Sequence, residues 1–298
     1  MKFEGCFTAI ITPFQRTGLK TPVDWEAYEE LLRFQNENGI AGIVACGTTG
    51  ESPTLSHVEH CQVIEKTLDG SKALVIAGTG SNSTWEAVEM TKDAAEVGAH
   101  ASLQVCPYYN KPSQDGLFRH FGTIAEAVDI PHILYNIPGR SSREIAPRIM
   151  ARLMEEYSNV IGVKEATGNP DVWRAIRESC GKDFLILSGN DSDTYQLMKE
   201  YGAKGVVSVA SNFAPRELVA FTRLGLEGRF QKMEAENNRL KELFDVLFID
   251  TNPIPVKEAM NYLGLKAGGY RLPMCKISPE NRNKLIEVLG KYGLSKGG

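Results

Sequence analysis

Short β-rich runs recur eight times along the chain, and helical patterns separate them. The runs are Cys6–Thr12, Ile40–Cys46, Ala73–Gly78, Ala101–Cys106, His132–Asn136, Val160–Lys164, Phe184–Ser188 and Gly205–Val209. Between them, apolar residues fall three and four apart over Trp25–Glu37, Val58–Leu68, Trp85–Val97, Leu117–Val128, Ile145–Tyr157, Val172–Ser179 and Thr194–Tyr201. Such alternation calls for parallel strands joined by helical crossovers. Eight units close into a ring, so the expected fold is α/β, a (β/α)8 TIM barrel. An open doubly wound sheet is disfavoured, because no GxGxxG loop follows the first run.

Helix starts carry their own signals. Thr21-Pro22, Asn169-Pro170 and Ala214-Pro215 put proline where a first helical turn tolerates it. Ser56-His57-Val58-Glu59 and Ser83-Thr84-Trp85-Glu86 read as capping boxes. Past Val209 the pattern is helical only, over Pro215–Leu224, Phe230–Phe248, Asn252–Leu263 and Pro279–Tyr292. The first of these is placed to close the barrel. The expected organisation is a catalytic barrel over residues 1–225 and a C-terminal helical extension over 226–298, which suits a chain of 298 residues.

A formal net charge of −4, with no lysine- or arginine-rich run, argues against a nucleic-acid partner. No apolar run approaches the length of a membrane span, and the N-terminal residues lack the apolar core of a signal peptide. The six cysteines, Cys6, Cys46, Cys61, Cys106, Cys180 and Cys275, are scattered and include no CxxC pair. They fit a reducing cytoplasm better than a disulfide framework.

In a barrel of this kind the active site forms at the C-terminal ends of the strands. Lys164 ends the apolar run Val160-Ile161-Gly162-Val163 there. An ammonium between apolar walls loses hydration, which favours the free amine that attacks a ketone. A lysine that merely opens a loop is the alternative. Thr48 and Thr49 lie in a Gly-Thr-Thr-Gly-Glu turn, where glycines allow close backbone approach and hydroxyls can grip a small carboxylate. Alone, that pattern is also an ordinary polar turn. Tyr135 ends the fifth run, where a phenol chained to other hydroxyls can pass a proton. Arg140 follows Pro138-Gly139 and can clamp a carboxylate or form a surface ion pair. Tyr108 and Tyr109 are expected to point to opposite sides of an extended segment. His57 and His60 have no further ligands at a characteristic spacing, so no metal site is expected.

Six motifs in order give the chain a family resemblance: Gly47-Thr48-Thr49-Gly50-Glu51-Ser52, Pro107-Tyr108-Tyr109-Asn110-Lys111-Pro112, Tyr135-Asn136-Ile137-Pro138-Gly139-Arg140, Gly162-Val163-Lys164-Glu165-Ala166-Thr167-Gly168, Gly205-Val206-Val207-Ser208-Val209 and Asn252-Pro253-Ile254-Pro255-Val256-Lys257. Over nearly its whole length the chain resembles the dihydrodipicolinate synthase family. The resemblance implies a Schiff-base lyase that condenses pyruvate with L-aspartate 4-semialdehyde on the diaminopimelate route to lysine. It implies Lys164 as the nucleophile, and Tyr135, Thr48 and Tyr109 as a proton relay with Tyr109 coming from a neighbouring subunit. Thr49 and the backbone at Val207 would hold pyruvate's carboxylate, and Arg140 would meet the semialdehyde. No metal or organic cofactor is expected, and the implied assembly is a homotetramer built as a dimer of dimers. A feedback site for L-lysine would draw on Ser52, Pro53, His57, His60, Asn82, Glu86 and Tyr108.

Three residues depart from the family's pattern. Ser141-Ser142 replaces a frequent Thr-Gly, and Asn190 stands where many relatives have aspartate. Related barrels act on sialic acid or keto-deoxy sugar acids with the same lysine and tyrosine, and Arg140 favours the synthase branch over these. A barrel that binds ligand without turnover is a third reading, opposed by the intact set Lys164, Tyr135, Thr48 and Tyr109.

Overall fold

The computed structural model describes residues 1–295. The last three residues of the expected extension, 296–298, lie outside the described residues. Eight strands form a closed barrel in chain order: β1 (Gly5–Ala9), β2 (Gly42–Ala45), β3 (Leu74–Gly78), β4 (Ala101–Val105), β5 (His132–Asn136), β6 (Val160–Glu165), β7 (Leu185–Ser188) and β8 (Gly205–Ser208). All neighbours pair in parallel, and β8 pairs with β1 to close the ring. The barrel inferred from the alternation is therefore the observed fold.

Side-chain alternation along each strand produces two apolar clusters. Phe7, Val44, Ile76, Leu103, Ile133 and Leu187 fill the barrel interior. A larger cluster lies between the strands and the surrounding helices, with Ile43, Leu134, Val163 and Ile186 as strand contributors. The crossover helices supply its other side. They are α1 (Trp25–Glu37), α2 (His57–Gly70), α3 (Thr84–Glu96), α4 (Gln114–Ala127), α5 (Pro138–Ser141), α6 (Pro147–Glu156), α7 (Pro170–Cys180), α8 (Thr194–Tyr201) and α9 (Pro215–Leu226). α9 packs on β1 and β8, as the closing helix should. The remaining helices are α10 (Phe230–Val246), α11 (Ile254–Leu263) and α12 (Pro279–Lys291). Met233, Leu240, Val256 and Leu285 from these helices join the outer barrel cluster. Each such buried side chain contributes about 1.5–3 kcal/mol relative to exposure, so the extension is welded to the barrel by apolar contact.

Several local expectations need correction. α1 begins at Trp25 with Asp24 as its cap, so Pro22 is not in a first turn. Pro22 instead offers its carbonyl to the Gln15 N–H, beside an antiparallel bridge between Phe14 and Val23. Pro170 and Pro215 do open their helices. Ser56 and Glu59 form the reciprocal capping box. Ser83 caps α3 at the Glu86 N–H, but the Glu86 carboxylate does not return the bond; it takes hydrogen bonds from Ser81 and His57. Tyr109 is not extended: its φ of 72° is left-handed. Arg140 sits on the one-turn helix α5, and α6 begins at Pro147, two residues later than the apolar pattern at Ile145 suggests.

Candidate active site

Strand register brings the amine and the phenol together. Tyr135 on β5 pairs directly with Lys164 on β6. Val163 belongs to the outer cluster, so its neighbour Lys164 points into the barrel. Its Nζ lies 4.1 Å from the centroid of the Tyr135 ring, and only 6% of the residue is exposed. Tyr135 is itself buried in the inner cluster. Val207 is in the same cluster on β8.

Two buried carboxylates that the sequence alone did not reveal also lie at these strand ends. β6 runs one residue past Lys164 to a fully buried Glu165. Glu165 accepts hydrogen bonds from Asn136 Nδ2 (2.9 Å) and the Thr167 N–H (2.7 Å), and burial raises its pKa against those donors. Asp191 is the second buried acid. It accepts from the Val209 and Ala210 N–H groups at 3.0 and 3.1 Å. Burial raises its pKa, while the Ser208 hydroxyl, those amides and the charge of Lys164 oppose the shift. The acidic position thus falls one residue after Asn190, whose own side chain bonds Asp193. The local signal for both acids was weak, because each follows its strand as an ordinary polar loop residue would.

Thr48 and Thr49 occupy the turn after β2, and their environments differ. Thr48 lines a cavity at this rim, whereas Thr49 is buried and does not line it. Thr49 Oγ1 accepts a hydrogen bond from Asn252 Nδ2 at 3.0 Å. Glu51, left-handed at φ 53°, aims its buried carboxylate at Lys257 Nζ (2.7 Å). Its other oxygen accepts the Arg271 N–H at 3.2 Å. Burial lowers the Lys257 pKa and Glu51 opposes this; the ammonium also lies 4.7 Å and 5.1 Å from the Phe14 and Tyr270 ring centroids. Arg271 further grips both carboxylate oxygens of Glu59 and holds that acid down to about pKa 2.

A cavity of about 480 Å³ opens at this end of the barrel. Thr48, Tyr135 and Arg140 line one part of it, and His57, Glu86 and Tyr108 another. Arg140 is solvent-facing, with one guanidinium nitrogen 3.5 Å from the Asn252 carbonyl. Ser52, Pro53 and His60 also line the cavity, and Asn82 binds the Tyr108 carbonyl at its edge. The Ser81 hydroxyl, then His57, hold the Glu86 carboxyl below its usual range, so it is anionic at neutral pH. His60 Nε2 is bound to the Gly78 carbonyl at 2.9 Å and burial lowers its pKa, so it stays neutral. Among the described residues no cluster of three metal-ligating side chains forms. Tyr109 stands apart: it is 89% exposed and does not line the cavity.

A buried amine against a phenol, hydroxyls at the next strand ends and an arginine at the mouth can form an imine and place a second, anionic reactant. No helix among the described residues is long and apolar enough to cross a membrane. Residues 2–291 match the Dihydrodipicolinate synthetase family. The 4-hydroxy-tetrahydrodipicolinate synthase of Aquifex aeolicus is 49% identical over 98% of this chain and 98% of its own length. The dihydrodipicolinate synthase of Acinetobacter baumannii, crystallised with pyruvate, superimposes with a TM-score of 0.94 at 39% identity, covering 98% of this chain and 100% of that one. The enzyme from Cyanidioschyzon merolae with lysine bound gives a TM-score of 0.93 at 39% identity over 98% and 99% of the two chains. Sequence motifs, barrel register and full-length similarity agree: the chain belongs to the dihydrodipicolinate synthetase family.

Proposed function

We propose that the chain is a Schiff-base lyase that condenses pyruvate with L-aspartate 4-semialdehyde to 4-hydroxy-tetrahydrodipicolinate, in the diaminopimelate route to lysine. The observation that carries this reading is the buried Lys164 amine stacked 4.1 Å over the Tyr135 ring, inside the closed barrel. The amine adds to the pyruvate ketone and water leaves. The protonated imine withdraws electrons, so a methyl proton is lost and an enamine forms. The enamine carbon attacks the aldehyde. The substrate's own amino group then displaces Lys164, closing the ring and freeing the amine. Tyr135 and Thr48 move the protons, with Tyr109 of a second subunit completing the relay. Thr49 and the Val207 backbone hold pyruvate's carboxylate.

Arg140 favours this reaction over sialic-acid or sugar-acid cleavage, because it stands at the mouth as an exposed cation for a carboxylate-bearing aldehyde. The test is an assay with pyruvate and L-aspartate 4-semialdehyde, read as product formation. Turnover only with another aldehyde would refute the synthase reading while leaving the imine chemistry intact. Arg140→Ala is expected to raise KM for the semialdehyde roughly 10- to 100-fold, the worth of charge-assisted hydrogen bonds. KM for pyruvate should change little. Should pyruvate binding collapse while semialdehyde handling survives, the role of Arg140 is wrong.

The assembly is proposed to be a homotetramer made of two tight dimers. Tyr109, Trp85 at 72% exposure and Val58 at 67% support it, since they leave apolar surface for a partner chain. The setting is proposed to be cytoplasmic, in keeping with six free cysteines.

L-lysine is proposed to inhibit by binding at Ser52, Pro53, His57, His60, Asn82, Glu86 and Tyr108. The anionic Glu86 and the carbonyls near it suit an ammonium, and the half-exposed Tyr108 hydroxyl suits a carboxylate. Titrating L-lysine against initial rate should show inhibition at or below millimolar concentration, and Glu86→Ala should lose most of it. An unchanged response in that variant would defeat the site.

A further inference from the structure

The motif Asn252-Pro253-Ile254-Pro255-Val256-Lys257 lies in the extension, far along the chain from every residue of the relay, yet both its ends touch the turn that carries Thr48 and Thr49. Lys257 holds the turn's last residue, Glu51, and the Thr12 hydroxyl donates to the Gly50 carbonyl at 2.7 Å. Glu51 is not a glycine, so its left-handed backbone is held by its surroundings, here by the Lys257 ammonium and the Arg271 N–H. The turn is therefore tied down at Gly50 and Glu51, and the Thr49 hydroxyl within it meets Asn252 of the extension.

A threonine hydroxyl has one proton to donate and two lone pairs to accept with. Asn252 Nδ2 occupies an acceptor position of Thr49 Oγ1. The hydroxyl proton is then free to be given to an anionic ligand, instead of being spent on a protein acceptor. Asn252 is only 5% exposed, and among the described residues its Oδ1 has no partner, so its side-chain amide makes its contact with Thr49.

From this geometry we infer that Asn252 is a positioning residue for the carboxylate of pyruvate, acting through Thr49 by fixing which way the threonine hydroxyl donates. The inference rests on Thr49 serving as the carboxylate grip in the reaction proposed above. It assigns the C-terminal extension a part in substrate binding as well as in stability.

The test compares wild type, Asn252→Ala, Asn252→Asp, Thr49→Val and the double variant Asn252→Ala with Thr49→Val. Each is measured for the pyruvate dependence of borohydride trapping, for KM and kcat, and for melting temperature. Asn252→Ala is expected to raise the pyruvate concentration for half-maximal trapping about tenfold, the worth of one buried hydrogen bond. KM for the semialdehyde and kcat at saturating pyruvate should move less than about threefold. Asn252→Asp, nearly the same shape, should be worse than alanine, roughly 100-fold. It can only accept, so it takes the Thr49 proton, and it brings a negative charge toward the substrate carboxylate. A packing role predicts the reverse order, with the isosteric aspartate the milder change.

Adding Asn252→Ala to Thr49→Val should cost nothing further, because the effect passes through that hydroxyl. The double variant decides the matter even if the aspartate variant melts early. An undisturbed pyruvate dependence in Asn252→Ala, or full additivity in the double variant, overturns the inference while wild-type trapping leaves the imine reading standing. Absence of any adduct in the wild type overturns both.

Discussion

Borohydride reduction in the presence of pyruvate is expected to leave a pyruvate-derived mass on the peptide that contains Lys164. Lys164→Ala is expected to lose both the adduct and measurable turnover. The loss should exceed the roughly 10²–10⁴-fold typical of a missing acid–base group, because the covalent route itself is gone. Lys164 is singled out by its place: it points into the barrel at the end of β6, is 6% exposed, and rests 4.1 Å over the Tyr135 ring. Lys257, the other lysine buried among the described residues, is a contrast. Its three protons are directed at Glu51 and at the carbonyls of Thr12 and Gly269, which leaves it no free direction from which to meet a ketone. Mass on Lys257, or full activity in Lys164→Ala, would end the proposal. Intact-protein circular dichroism in Lys164→Ala should match wild type, since among the described residues Lys164 makes no salt bridge and only its longer-range attraction to Asp191 is lost.

Tyr135→Phe carries the second largest effect, an expected 10²–10⁴-fold fall in kcat. The substitution keeps the ring that packs in the barrel interior and under Lys164, so the fold and the stack survive. Only the hydroxyl is lost, and with it proton transfer in imine formation and enamine generation. Thr48→Val, a similar shape without the hydroxyl, should fall within the same range, because Thr48 and Tyr135 share one cavity wall. The diagnostic measurement is the rate of borohydride-trappable imine formation beside steady-state kcat. Both should slow while the pyruvate-derived mass remains on Lys164. Normal kcat in the two variants would rule out the relay.

Much of this could be read from the chain itself, and the reason is local. A parallel barrel buries both faces of its strands, so each strand appears as a short apolar run, and each crossover helix appears as a three-and-four pattern. Those runs also fix where strands end, and strand ends are where barrel chemistry lies. Lys164, Tyr135, Thr48 and Arg140 were legible for that reason, and the ordered motifs pointed to the family that the full-length comparison then established.

What the chain could not show by itself is which distant groups meet. Register alone made Lys164 the neighbour of Tyr135, and a shift of one residue would have turned either side chain to the opposite face. Glu165 and Asp191 looked like loop residues until the barrel closed over them, with amide donors on both oxygens of Glu165 and on Oδ2 of Asp191. Glu86 fitted a capping box by spacing, yet a hydroxyl and an imidazole from outside its own helix claimed its carboxylate. Asn252 and Lys257 reach Thr49 and Glu51 across most of the chain. Periodicity records which face of an element is buried; it carries no information about the partner on the other side. The sequence therefore determined the barrel and the ends of its strands, while tertiary packing alone decided the hydrogen bonds that give those strand-end residues their direction and charge.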